Sequence, residues 1–397
     1  MYEYIKSEVE KAVPEAINKR HIIHRNPELS FHEFNTSSLV CETLSELGIE
    51  FQSGLAGTGV LGIINGLKHE DNSKTVLIRA DIDALPVNED SGLPFSSEKE
   101  NVMHACGHDI HTSILLCCAQ VLNNLKDKFS GCVKLMFQPG EETSGGAKPM
   151  IDSGILENPK VNSCVALHIE PSLNVGQVRF KPGAAYACPD EFSIKILGKG
   201  GHAADPHKCI DPILISSEIV CALQTIPSRI INPLNPVVVS VCSINGGSTY
   251  NVIPDSVHIK GTARSFSDYD RDLLEKKIGL TVKQICELYG AEFEYKFDRL
   301  FPPLINDKNT IEQLKKSAEK YLEPENIFFG GYPTMGGEDF SYLTRAVNDS
   351  ALFWLGCTEE KAAQYPLHNC RLAASDSCIK YGAEILVDYV TQYLNEN

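Results

Sequence analysis

The chain has 397 residues, more than one hydrophobic core usually serves, so two domains are expected. Asp plus Glu number 52 against 36 Lys plus Arg, and a formal net charge of −16 argues against polyanionic partners, both nucleic acid and anionic membrane. It leaves room for a small anionic substrate, because one Arg can reverse the sign inside a cleft.

The first 13 residues, MYEYIKSEVEKAV, contain no apolar signal region, and no stretch reads as the roughly 20 apolar residues of a membrane span, so a cytoplasmic location is expected. The 14 cysteines are scattered among apolar neighbours and form no compact disulfide framework; most read as core thiols.

In chain order, 35–47 reads as a helix stopped by Gly48, followed by strands at 59–66 and 75–82. A buried helix is predicted at 109–125, a strand at 132–138, a short helix at 146–154 and an apolar strand at 163–169. This alternation predicts an α/β layer with a largely parallel sheet. Near residue 188 the pattern changes. Phe192, Ile194 and Ile196 alternate along a strand at 190–200, a helix follows at 211–226, and strands at 237–244 and 256–266 come next. A long amphipathic helix at 268–290 and a strand at 291–297 complete a strand–helix–strand–strand–helix–strand unit, an inserted α+β domain. Strand 190–198 is expected at the edge of its sheet. After Pro302–Pro303 α/β signals return and end in a helix at 375–394. The domains are therefore placed at 1–186, 187–298 and 299–397, the first and last forming one body.

Metal-capable residues fall where strands end. Cys106 and His108 precede the helix at 109, Glu141 and Glu142 follow the strand at 132–138, His168 ends the strand at 163–169, and His368 precedes the last helix. Open parallel sheets bind ligands at the carboxyl ends of their strands. One thiol, carboxylates and three imidazoles suit zinc, and also manganese, cobalt or nickel. Each segment alone has a plainer reading: a strand-end His in the core, a C-x-H without zinc-finger spacing, a solvated Gly-Glu-Glu turn. Their coincidence points to a metal, and spacing alone leaves both readings open. Two adjacent carboxylates in a tight turn point different ways, so one can bind metal while the other serves as base.

Read together, HRNPELSFHE, RADIDALPV, MHACGHDIHT, FQPGEE, GKGGHAADP, NVIPD, GTARSF and GGEDFSYL resemble the aminoacylase and zinc carboxypeptidase superfamily of metallohydrolases. Within it, the sequence resembles the amidohydrolase branch, which includes hippurate hydrolases, N-acyl-amino-acid deacetylases and plant auxin-conjugate hydrolases. The likeness covers almost the whole chain, with the motifs in family order.

That resemblance implies metal-dependent hydrolysis of the amide bond of an N-acyl amino acid by two divalent ions (zinc, manganese, nickel or cobalt). Cys106, His108, Glu142, His168 and His368 would be the ligands and Glu141 the general base and acid. A His-x-Asp motif of other branches is replaced here by Asp81-Ile-Asp83, and Cys106 compensates for the missing His. Asp83 and Asp109 either orient ligands or cap a turn and a helix. The insert would be a ferredoxin-like lid and dimerisation domain. There His202 would stabilise the scissile carbonyl across a homodimer interface, Arg264 would grip a carboxylate, and Asn251 would contact substrate. Gly336, Gly337 and Glu338 form a Gly-rich loop lining the pocket. A dipeptidase or carboxypeptidase, or an N-acetyl-diaminopimelate deacetylase, would fit the same motifs. Outside this class stand a Cys106–His108 nucleophile pair and a non-catalytic binding homologue.

Overall fold

The structure is a computed structural model that describes residues 1–68, 73–143, 145–359 and 362–395. It divides into two compact units: Met1–Gly183 with Ile305–Tyr332 and Asp339–Asn397, and Ala184–Leu304 with Pro333–Glu338.

The first unit is built on an eight-stranded sheet in the order Glu50–Leu55, Gly59–Asn65, Cys132–Gln138, Thr75–Asp81, Ser163–Asn174, Asp349–Thr358, Val178–Phe180, Ile327–Phe329. The four central strands run parallel. Thr75–Asp81 and Cys132–Gln138 are buried at every position, so apolar residues fill both faces instead of alternating, and the polar exceptions Arg79, Asp81, Lys134 and Gln138 are themselves buried. The helices Tyr2–Arg25, His108–Asn124 and Cys378–Asn395 pack on one another. Tyr2–Arg25, with Pro14 inside it, is a helix that the sequence reading passed over. It buries Ile5, Val9, Ala12 and Ala16 on one face, and its buried Arg20 donates to Asp109, Asp376 and the Ala374 carbonyl.

One glycine fixes where the central helix begins. Gly107 has φ +81°, and a Cβ there would lie 2.1 Å from Ile169 Cδ1, so the Cys106–His108 turn is pressed against the neighbouring strand.

In the second unit, Val238–Asn245, Ser256–Ser265, Cys188–Leu197 and Glu292–Asp298 form an antiparallel sheet in that order. With the helices Pro212–Leu223 and Asp268–Tyr289 this is the ferredoxin-like arrangement. Asp211 caps the first helix through the amides of Ile213 and Leu214, Ser267 caps the second, and Gly290 at φ +70° ends it. Phe192, Ile194 and Ile196 meet Ile215, Ile219 and Leu223 in the core.

Two expectations are corrected here. Strand Cys188–Leu197 lies inside the sheet, paired on both sides, and the edges are Val238–Asn245 and Glu292–Asp298. One-sided alternation marks a strand with one covered face but does not tell centre from edge. The run Pro212–Ile230, 19 residues, is also long and apolar enough by composition to cross a membrane, although no such stretch was read in the sequence. Its Ile215, Ile219, Leu223 and Ile226 are buried against the unit's own sheet, while Ile213, Leu214 and Cys221 on the remaining surface are exposed.

Candidate metal centre

The turn that opens His108–Asn124, the turn after Cys132–Gln138, the strand Ser163–Asn174 and the loop before Cys378–Asn395 converge in the first unit. His168 lies inside its strand and not at its end as expected, because the pairing continues to Asn174. Cys106 Sγ lies 3.5 Å from His168 Nε2. Donor atoms of Cys106, His108 and His168 fall within 4.8 Å of one another, and so do those of Cys106, Glu142 and His368. The two triads share the thiol of Cys106. His108, Glu141 and Glu142 form a third such group.

The imidazoles are oriented by what holds their other nitrogen. His108 Nδ1 donates to the Asp83 carbonyl at 2.9 Å and lies 3.2 Å from Asp83 Oδ1, which turns Nε2 inward. His168 Nδ1 donates to the Ile169 carbonyl at 2.7 Å, turning its Nε2 to Cys106. This fixed tautomer is what a metal-ligating His requires. His368 has a left-handed backbone, φ +65°, uncommon outside glycine. Its amide donates to the Ala105 carbonyl at 2.7 Å, which ties the loop to the residue before Cys106. Its Nε2 then stands 3.4 Å from Glu142 Oε1.

Asp83 is the hub of the cluster. Besides His108, its carboxylate accepts from the Glu142 amide at 3.0 Å and from Ser30 Oγ at 2.7 Å. Burial raises its pKa, but these bonds prevail, with that from His108 first, and hold it below the usual carboxylate range. The Gly-Glu-Glu turn is pinned from the other side by buried Glu33, which accepts from the Gly140 amide at 3.0 Å and from Thr58 Oγ1.

The electrostatics call for a cation. His108 Nε2 and Glu142 Oε1 are buried and have no hydrogen-bond partner among the described residues. Burial alone would lower the pKa of His108, yet Asp81, Asp83 and Glu142 raise it to about 10, so the site gathers positive charge. Burial and then Glu142, Glu141 and Asp81 push the Cys106 thiol well above its usual value. A lone thiol in this field is no thiolate nucleophile, which counts against a Cys–His mechanism. A divalent cation reverses the balance for all three groups, and the thiol, carboxylate and imidazole set fits a borderline transition ion.

Sequence reasoning missed Asp81 and His111. His111 Nδ1 donates to Asp81 Oδ1 at 2.6 Å, and His111 Nε2 accepts from the Ile169 amide at 2.9 Å. With both nitrogens engaged, His111 has no lone pair for a metal, and burial lowers its pKa to about 4. The spacing in GHDIH, with His111 one turn after His108 on the same helix face, is the signal that could have found it. Asp109 does not turn to the cluster: its carboxylate takes Arg20 Nε and His24 Nδ1, each at 2.9 Å.

The other expected residues lie in the second unit. His202 and Asn251 are brought together: Val252 pairs with His202, and the Ala203 amide donates to the Asn251 carbonyl at 3.1 Å. Both side chains are exposed. His202 Nδ1 accepts from the Ala204 amide at 3.1 Å, which leaves the ring proton on Nε2. Arg264 is half-buried beside the Asp190 strand, and burial lowers its pKa. Asp190 itself is taken by Arg271, with Nε at 2.7 Å, so Arg264 has no ion pair among the described residues. Gly337 is required by packing, since a Cβ would lie 2.5 Å from the Pro189 ring.

An α/β unit with a two-ion donor set of this kind defines a metal-dependent hydrolase. The sequence profile of Peptidase family M20/M25/M40 matches residues 77–392, and the chain belongs to that family. It is 40% identical over 392 residues to thermostable carboxypeptidase 2 of Saccharolobus solfataricus, covering 96% of each chain. It is 36% identical over 375 residues to the hippurate hydrolase of Campylobacter jejuni, covering 94% of this chain and 95% of that one. A solved dinuclear metal binding peptidase of the M20 family from Bacillus subtilis superposes with a TM-score of 0.83 at 30% identity, over 97% of this chain and 99% of that one.

Removing the hub should loosen the ions without touching a ligand. Asp83→Ala is expected to weaken divalent-metal affinity about 10- to 100-fold. Competition of the purified protein against a chromophoric chelator measures this, and unchanged affinity would remove Asp83 from the support of the site.

Proposed function

We propose that the chain hydrolyses the amide bond of N-acyl amino acids, with Cys106, His108, Glu142, His168 and His368 holding two divalent ions. The observation that carries this reading is the adjacent pair Glu141 and Glu142 beside a shared thiol and three imidazoles. Zinc, manganese, cobalt and nickel all suit the donors. Bound ions supply the Lewis acidity that lowers the pKa of water and polarises a carbonyl.

The remaining work falls to protein groups. Glu141 takes the proton of the attacking water and returns it to the leaving nitrogen, since an amine leaves poorly unless protonated. Arg264 receives the α-carboxylate of the substrate, because a half-buried guanidinium without an ion pair among the described residues seeks a planar anion. His202, with its proton on Nε2, donates to the carbonyl oxygen as negative charge develops there. Asn251, in the loop bonded to that of His202, and the Gly337 loop contact the substrate. The C-terminal amide of a peptide presents the same carboxylate and scissile nitrogen, so a carboxypeptidase reading remains the second choice, supported by the 40% identical relative of that name.

We further propose a homodimer through the second unit. The exposed edge strand Val238–Asn245 and the apolar outer surface at Ile213, Leu214 and Cys221 support it. In that assembly His202 acts on the partner subunit's substrate. All 14 cysteines are unpaired, which supports a reducing, cytoplasmic location.

Glu141→Gln should keep both metals and lose turnover by about 10²- to 10⁴-fold or more, because the amide cannot accept a proton. Metal analysis and kinetics decide it: if Glu141→Gln loses metal and Glu142→Gln keeps it, the two roles are reversed. Amidating the substrate α-carboxylate should cost about 2–3 kcal/mol in kcat/KM, the worth of a charge-assisted bond. Equal kcat/KM for the acid and its amide would take Arg264 out of the site. Co-expressing Glu141→Ala with His202→Ala should restore about a quarter of full activity, since about half of randomly paired dimers are mixed and one site in each is intact. No recovery in confirmed mixed dimers would place His202 in cis.

A further inference from the structure

An unbroken run of hydrogen bonds leads from a buried arginine in the sheet to the imidazole that faces Cys106. Arg79 Nη1 donates to Asp81 Oδ2 at 2.8 Å. Asp81 Oδ1 accepts from His111 Nδ1 at 2.6 Å, and His111 Nε2 accepts from the Ile169 amide at 2.9 Å. On the other side of the same residue, the Ile169 carbonyl accepts from His168 Nδ1 at 2.7 Å. We propose that Asp81 and His111 are positioning residues that clamp the backbone of Ile169, aim His168 at the ion it shares with Cys106, and so set the affinity of one of the two metal sites.

The tautomer follows from the donors. A backbone N–H can only donate, so His111 Nε2 is bare and its proton lies on Nδ1. That arrangement requires an acceptor at Asp81 Oδ1, and the carboxylate supplies it. Asp81 is itself held in place from three directions: by Arg79, by His111 and by Thr112 Oγ1, which donates to its carbonyl at 2.8 Å. Arg79 in turn is anchored by Gln138 and by Asp339, each at 2.8 Å, so the chain ends in the middle of the sheet and not at a mobile surface. Ile169 is the residue that fixes the approach of Gly107, so a shift there would move the Cys106–His108 turn as well as His168. The His111 and His168 rings stand edge to face with centroids 4.7 Å apart, which resists rotation of either.

Asp81 also has a direct view of the cluster, since its Oδ2 lies 3.5 Å from His108 Nε2. Two variants separate the routes. His111→Phe removes both hydrogen bonds to the clamp and leaves Asp81 in place. Asp81→Asn keeps the volume, but its amide cannot satisfy both the His111 donor and the Arg79 donor. The imidazole then takes the other tautomer and sets two N–H groups against each other.

The proposal rests on His168 being a ligand, and the experiment tests the two claims apart. Metal-free protein is titrated with Co²⁺ alone, followed by the visible absorption of the ion and by competition with a chelator. The expected result for His111→Phe and for Asp81→Asn is one binding step weakened about 10- to 100-fold, with a changed Co²⁺ spectrum. His111→Gln, whose amide can accept from Ile169 and donate to Asp81, should restore most of the affinity. A purely structural role would lower the melting temperature of the metal-free protein and leave the spectrum alone. If His168→Ala loses one step while His111→Phe and Asp81→Asn bind as the unaltered protein does, the clamp is refuted and the ligand set stands. If His168→Ala itself binds unchanged, the ligand assignment fails and the clamp fails with it. Should His111→Phe not fold, His111→Leu, which also removes both hydrogen bonds and leaves Asp81 in place, and its spectrum decide.

Discussion

Burying carboxylates without a counter-charge costs several kcal/mol each, and the first unit buries Asp81, Asp83 and most of Glu142 within a few ångströms of a thiol and an imidazole. That constraint explains the arrangement around it. Asp81 is met by Arg79 and His111, and Asp83 by His108, Ser30 and a backbone amide. Among the described residues, Glu142 Oε1 and His108 Nε2 have no hydrogen-bond partner; they stand 3.8 Å apart, with His368 Nε2 3.4 Å from the same carboxylate oxygen, where a cation fits. The sheet supplies the framework: parallel strands end together, so segments far apart in sequence deliver their donors to one edge.

The structure also separates holding from reacting. His108, His168 and the Glu142 backbone are each fixed by a hydrogen bond that leaves the chemically useful atom facing inward. The supports are deeper in the fold than the groups they support: Asp83 at a strand end, Asp81 and Arg79 within the sheet, Glu33 behind the Gly-Glu-Glu turn. In the second unit the same economy applies to Arg264. Arg271 occupies the nearest carboxylate, which leaves Arg264 half-buried and open to an anion.

Much of this was legible in the sequence because the informative residues sit at punctuation points. Glu141, Glu142 and His168 follow apolar runs, Cys106, His108 and His368 precede helices, and the structure brings their donor atoms together. The alternation of Phe192, Ile194 and Ile196 identified a strand with one covered face, but the pairing that makes Cys188–Leu197 an inner strand is a property of the whole sheet. The helix Tyr2–Arg25 escaped notice because Glu and Lys crowd its exposed side and Pro14 interrupts it, although Ile5, Val9, Ala12 and Ala16 carry the helical period. Asp109 sits beside a metal-facing His in sequence, yet its carboxylate turns to Arg20 and His24. Side-chain direction of that sort depends on a partner 89 residues away. The spacing in GHDIH could have pointed to His111, but the hydrogen bonds of Asp81 and His111 to each other and to the Ile169 backbone come from the fold.

The central proposal is that Cys106 would serve both ions, with His108 and His168 holding one and Glu142 and His368 the other. Anomalous scattering from crystals of the protein soaked in Zn²⁺ or Mn²⁺ tests it most directly. The account predicts two peaks per chain, both within ligand distance of Cys106 Sγ, with the His108–His168 and Glu142–His368 pairs divided between them. A single peak, or two peaks that leave Cys106 outside both coordination shells, would contradict it.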